Sequence, residues 1–108
     1  WPSEWQRGVL DLCVLHILAD GPTYGYSIAA RLTDAGFADV KGGTLYPLLK
    51  RLEGAGLVDV EWRPGEAGPG RKFYLINTAG RQRLIALTAS WQRYSTTVTR
   101  LLDEGSLS

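Results

Sequence analysis

Three stretches with helical apolar spacing come first, then two strand segments around a Gly/Pro-rich tip, then a closing heptad seam. That order along 108 residues predicts an α+β fold that is mainly α. The architecture it fits is a winged helix-turn-helix over residues 1–77, made of three helices and a two-stranded wing. A long C-terminal dimerisation helix over residues 78–108 follows. No linker, repeat or low-complexity tract divides the chain, so the two parts are expected to form one compact unit with a single modest core.

Residues 5–19 are apolar nearly all round a helical projection. Leu10, Cys13, Val14 and Ile17 define one side, and Trp5, Val9, Leu12 and His16 define another. A helix with two apolar faces is covered on both. A domain of this size covers one, so the second points to another subunit.

The segment "DGPTYGYSIAARL" breaks this helix at Gly21-Pro22 and restarts it, with Thr23 as the expected N-cap and Ile28, Ala29 and Leu32 facing the core. Gly36, within "DAGFADVKGG", is expected to close the second helix in a left-handed conformation. The third helix, "GTLYPLLKRLE", puts Leu45, Leu48, Leu49 and Leu52 on one face but carries a proline at 47. With Thr44 as N-cap, Pro47 falls in the first turn, where a missing N–H costs no hydrogen bond. Gly56 then caps the far end, with Leu57 packing back on Leu52.

"LVDVEW" alternates strictly, with Val58, Val60 and Trp62 on one face; "RKFYLI" pairs with it, and "RPGEAGPG" is expected to be the hairpin tip. The last helix is expected from about residue 78 to 102. Its apolar positions are Leu84, Leu87, Trp91, Tyr94, Val98 and Leu101, spaced 3, 4, 3, 4, 3. A seam so narrow is what one helix offers another, either in a second copy or within the same chain. The length of this helix after the wing favours a homodimer.

Net charge is +1, but its distribution is uneven: residues 1–40 sum to −3 and residues 41–83 to +4. A positive middle on a near-neutral chain points to an anionic partner met by one face, against chance scatter of surface charge. With the leucine stripe turned inward, Tyr46, Pro47, Lys50 and Arg51 face outward from the third helix. In this fold that helix enters the major groove of DNA, where such cations meet guanine acceptors or phosphates and the Thr44 and Tyr46 hydroxyls meet phosphate oxygens. Arg71 and Lys72 stand at the base of the wing, suited to a minor groove or a phosphate ridge. Tyr24 and Tyr26, at the start of the second helix, are expected at backbone phosphates unless one of them packs in the core.

Enzymatic chemistry fails on inventory. One His and one Cys, three residues apart, leave no metal site, and no cofactor is expected; no phosphate-binding glycine loop or nucleophile elbow occurs. Cys13 forms no disulfide within the chain and reads as a buried reduced thiol. No apolar run is long enough to span a bilayer, no signal peptide is evident, and a cytoplasmic location is expected. The start at Trp1 rather than Met implies a short leader trimmed or omitted.

The stretches "RGVLDLCVLHIL", "GPTYGYSIAARL", "GTLYPLLKRLEGAGLV" and "GPGRKFYLINTAG", with the closing helix, resemble the PadR-like family of bacterial transcriptional regulators. The similarity covers nearly the whole chain and is to the short subgroup with a single C-terminal helix. It implies a two-fold symmetric dimer, repressor-like, binding an inverted-repeat operator and released by a small molecule. The "SWQR" stretch resembles that of multidrug-sensing members, in which a tryptophan from each subunit sandwiches planar aromatic effectors. Trp91 would do so here by stacking, with Trp5 and His16 bordering the cavity; alternatively Trp91 simply fills the dimer core. The rival functions are a winged-helix protein–protein module and a ligand-sequestering dimer without DNA activity.

Overall fold

A computed structural model describes residues 1–37, 40–65 and 68–106. The elements, in order, are α1 (Ser3–Ala19), β1 (Thr23–Tyr24), α2 (Gly25–Asp34), α3 (Gly42–Gly54), β2 (Val58–Gly65), β3 (Gly68–Ile76) and α4 (Thr78–Ser106). Leucines from three helices meet the base of the sheet in one core. Leu10, Val14, Leu15 and Leu18 come from α1, Ile28 and Leu32 from α2, and the Leu45–Leu48–Leu49–Leu52 stripe from α3, closed by Val58 and Tyr74. Each fully buried leucine contributes about 2 kcal/mol of transfer free energy, so this cluster is what holds α3 against the body.

Two glycines end helices as expected. Gly36 and Gly56 have φ of +110° and +75°. Each is followed by the double hydrogen bond of a Schellman motif: Phe37 N–H to Leu32 and Gly36 N–H to Thr33, then Leu57 N–H to Leu52 and Gly56 N–H to Glu53, all at 3.0 Å. The chain direction is thereby fixed where it leaves α2 and again where it leaves α3.

Three expectations at the starts of helices are corrected. Thr23 is not the N-cap of α2. It forms, with Tyr24, a short strand pairing antiparallel to β3 (Thr23 with Tyr74, Tyr24 with Phe73), and α2 begins from Tyr24. β1 thereby adds a third strand to the expected two-stranded wing of β2 and β3, in the order β1-β3-β2. Thr44 is not the N-cap of α3 either: the helix starts at Gly42, and Thr44 and Leu45 donate to the carbonyl of Lys41. Pro47 thus sits in the second turn and leaves the carbonyl of Gly43 without its helical donor. Gly43 is exposed, so water can serve that oxygen.

The hairpin is longer than expected. β2 and β3 continue through the Gly/Pro segment with a register irregularity between Arg63 and Gly65. Glycines permit this closeness, since a Cβ on Gly65 would stand 2.7 Å from the Pro69 carbonyl and one on Gly70 2.9 Å from that of Arg63. The tip itself, Glu66 and Ala67, lies outside the described residues, as do residues 38 and 39. Among the described residues no helix is long and apolar enough to cross a membrane.

Asn77 connects sheet to α4. Its side-chain oxygen accepts from Gly80 N–H at 2.8 Å, and its amide donates to the Gly56 carbonyl at 2.9 Å and to Asp59 at 3.3 Å. One side chain therefore caps α4 and ties it to the end of α3. Leu84 and Leu87 pack on the core from the first turns of α4. Beyond them the helix extends from the body, giving the molecule a length of 62 Å against 28 and 21 Å in the other directions.

Candidate nucleic-acid interface

The solvent face of α3 is set by its leucine stripe. With Leu45, Leu48, Leu49 and Leu52 buried, Thr44, Tyr46, Pro47, Lys50 and Arg51 are all exposed. Tyr46 is held by small neighbours on two elements. A Cβ placed on Gly25, at the start of α2, would lie 2.7 Å from the Tyr46 hydroxyl, and one on Gly42 would lie 3.3 Å from its ring. The phenol therefore occupies space that only glycine leaves open.

The cations divide into paired and unpaired. Arg51 donates to Asp11 of α1 at 2.8 Å and so leans along the body rather than straight outward. Lys50 has no ion pair among the described residues. Lys72 lies 3.5 Å from Glu53 and over the ring of Tyr74, linking the wing to the end of α3. Arg71 sits 4.6 Å over the ring of Tyr24, which also packs at 5.3 Å on Phe73. Tyr24 is half-buried in that stack, whereas Tyr26 is exposed.

Wing, α2 and α3 enclose a cleft of about 660 Å³. Tyr24, Gly25 and Tyr26 line it from α2 and its approach, Tyr46 from α3, and Trp62, Arg71, Lys72 and Tyr74 from the wing. Seven of the nine residues marked out in the sequence as DNA contacts (Tyr24, Tyr26, Tyr46, Pro47, Lys50, Arg71, Lys72) are either in this cleft or free on the helix face beside it. Thr44 lines a different depression, of about 410 Å³, with Trp1, Gln6 and Arg7 of the N-terminal helix region.

The alternation places Trp62 on one face with Val58 and Val60. Burial fades along that face, from buried Val58 through half-buried Val60 to Trp62, 69% exposed. The hairpin has by then run past the core, and its third inward position opens into the cleft. The alternation could not reveal this, because it encodes the face and not where the body ends.

The second surface is apolar. On α1, Val9 and Leu12 are half-buried, while Trp5 and His16 are exposed. On α4, Trp91 is 44% and Val98 39% exposed, with Tyr94 and Leu101 more so. Leu84 and Leu87, assigned from the heptad to a dimer seam, are half-buried against the chain's own core, so the early part of the seam serves the single chain. Trp91 packs on Tyr94 at 6.4 Å; no ring contact joins it to Trp5 or His16 among the described residues. Cys13 is half-buried rather than buried, and desolvation raises its thiol pKa above the usual value. No cluster of metal-ligating side chains occurs among the described residues.

Comparison with known proteins agrees with this geometry. The profile described as the transcriptional regulator PadR-like family matches residues 14–86. Transcriptional regulator Rv3488 of Mycobacterium tuberculosis is 40% identical over 81 residues, spanning 75% of this chain and 74% of that protein. A PadR-like transcriptional regulator from Bacillus cereus superposes with a TM-score of 0.83 at 36% identity, covering 92% of this chain and 96% of the other. A PadR family regulator from Eggerthella lenta gives 0.83 at 37%, covering 92% and 86%. These matched relatives are regulators of transcription and not enzymes. The fold matches PadR winged-helix structures with a long C-terminal helix, and the chain belongs to the PadR-like family of transcriptional regulators.

Proposed function

We propose that the protein is a dimeric, repressor-type regulator in the cytoplasm that binds an inverted-repeat operator in double-stranded DNA. The observation that carries this reading is the single face on which α3 and the wing together present unpaired Lys50, Arg71 and the tyrosines of the cleft. Two such faces, related by a two-fold axis, fit successive major grooves roughly 34 Å apart. The exposed stripe of Trp91, Tyr94, Val98 and Leu101 is apolar surface that a second copy would cover. A planar aromatic effector between the subunits, stacked on Trp91 and bordered by Trp5 and His16, would act by favouring one inter-subunit angle over another.

Titration of promoter duplexes at rising salt tests the DNA reading. Several phosphate contacts predict a steep linear fall of log affinity with log salt, and Lys50→Ala and Arg71→Ala should each weaken binding while the dimer persists. A protein–protein module on the same face would retard no duplex even at low salt. Quenching of tryptophan emission by planar dyes, lost in Trp91→Ala, tests the effector site.

A further inference from the structure

The cleft holds two groups that the charges alone do not account for. Trp62 presents an indole that is 69% exposed on the inner face of β2, cross-strand from Lys72. Tyr74 is only 4% exposed, yet it lines the cleft and its hydroxyl makes no hydrogen bond to a described residue. Among the described residues no buried side-chain polar atom lacks a partner, so that hydroxyl keeps its access to solvent, and its access is at the cleft. Arg71, Lys72 and Gly25, the first residue of α2, line the same cleft, with the Arg71 guanidinium over the Tyr24 ring. The cleft thus combines two lining cations and a hydroxyl with one flat apolar wall, the Trp62 indole.

We propose that this cleft seats one sugar–phosphate step of a DNA strand, with Trp62 packing on the deoxyribose and the Tyr74 hydroxyl donating to the phosphate. The proposal rests on the DNA-binding reading above and adds to it two contacts, neither of them cationic. Charge complementarity identifies the occupant: among the described residues the lining holds two cations and no carboxylate, although Lys72 is shared with nearby Glu53. A duplex strand also fits the open form of the cleft, which continues onto the exposed face of α3.

The test is DNA affinity across a salt series for the full chain and three variants, Trp62→Ala, Trp62→Phe and Tyr74→Phe. Trp62 is exposed and Tyr74→Phe removes only an oxygen, so the fold is retained. Loss of the indole should weaken binding about tenfold, and loss of the hydroxyl about fivefold. Because neither group is charged, the slope of log affinity against log salt should stay at its wild-type value, whereas Arg71→Ala lowers it by about one. Trp62→Phe should recover part of the affinity and lose the quenching of emission that duplex DNA causes. Wild-type affinity in both Trp62→Ala and Tyr74→Phe overturns the assignment while leaving the regulator reading intact. Absence of salt-dependent duplex binding by the unaltered chain removes both. A deoxynucleoside monophosphate that quenches Trp62 and displaces duplex at millimolar concentration overturns it as well, since the cleft would then be a seat for a free nucleotide.

Discussion

Tyr46 shows how far a residue's role depends on what its neighbours lack. Its ring rests where side chains on Gly25 and Gly42 would otherwise be. Gly25→Ala should push the phenol aside at a strain of about 1 kcal/mol and weaken DNA binding about fivefold, with a small change in the urea midpoint. An unchanged affinity would mean that the position of Tyr46 is immaterial. The same scale separates two adjacent cations. Lys50, unpaired, should cost DNA affinity about tenfold when replaced by alanine, whereas Arg51→Ala should cost less, because Arg51 is engaged by Asp11. That exposed pair is worth about 0.5 kcal/mol to stability, and Asp11→Ala should show it in denaturant melts. Which side of α3 faces out was legible in the leucine spacing. That Arg51 turns to α1, that Tyr24 stacks under Arg71 and that Trp62 is exposed were not, because each depends on where a second element lies.

Among the elements, ends were legible where one residue type is required and obscure where several serve. Gly36 and Gly56 close α2 and α3 because only glycine adopts those angles without strain. The N-termini of these helices carry no side-chain cap, so Thr23 and Thr44 were misleading; threonine in a β1 of two residues gives no periodicity to read. α4 is different, since Asn77 caps it and binds the Gly56 carbonyl. Asn77→Ala should destabilise the fold by about 2 kcal/mol, the sum of a lost cap and an unsatisfied carbonyl. Gly80→Ala should cost more, because its Cβ would strike the Leu57 carbonyl, a backbone atom that cannot swing away. Thermal melts of both variants measure this, and a Gly80→Ala melt equal to wild type would show that α4 docks differently.

For the whole molecule, the order of the four helices and the hairpin was legible, and the partition of the heptad seam was not. Leu84 and Leu87 belong to the core of the single chain, while Trp91, Tyr94, Val98 and Leu101 stand clear of it. A heptad repeats identically through both parts and carries no mark of where the body ends. Sedimentation should give twice the 11.9 kDa chain mass at micromolar concentration, and Val98→Asp with Leu101→Asp should return the monomer without unfolding the winged helix. The measurement that reaches dimer and reading face together is selection of bound duplexes from a random pool. The account predicts enriched sequences with two inverted half-sites whose centres are about 10 base pairs apart, or a multiple of that. Enrichment of a single unrepeated half-site, or no enrichment at low salt, would contradict it.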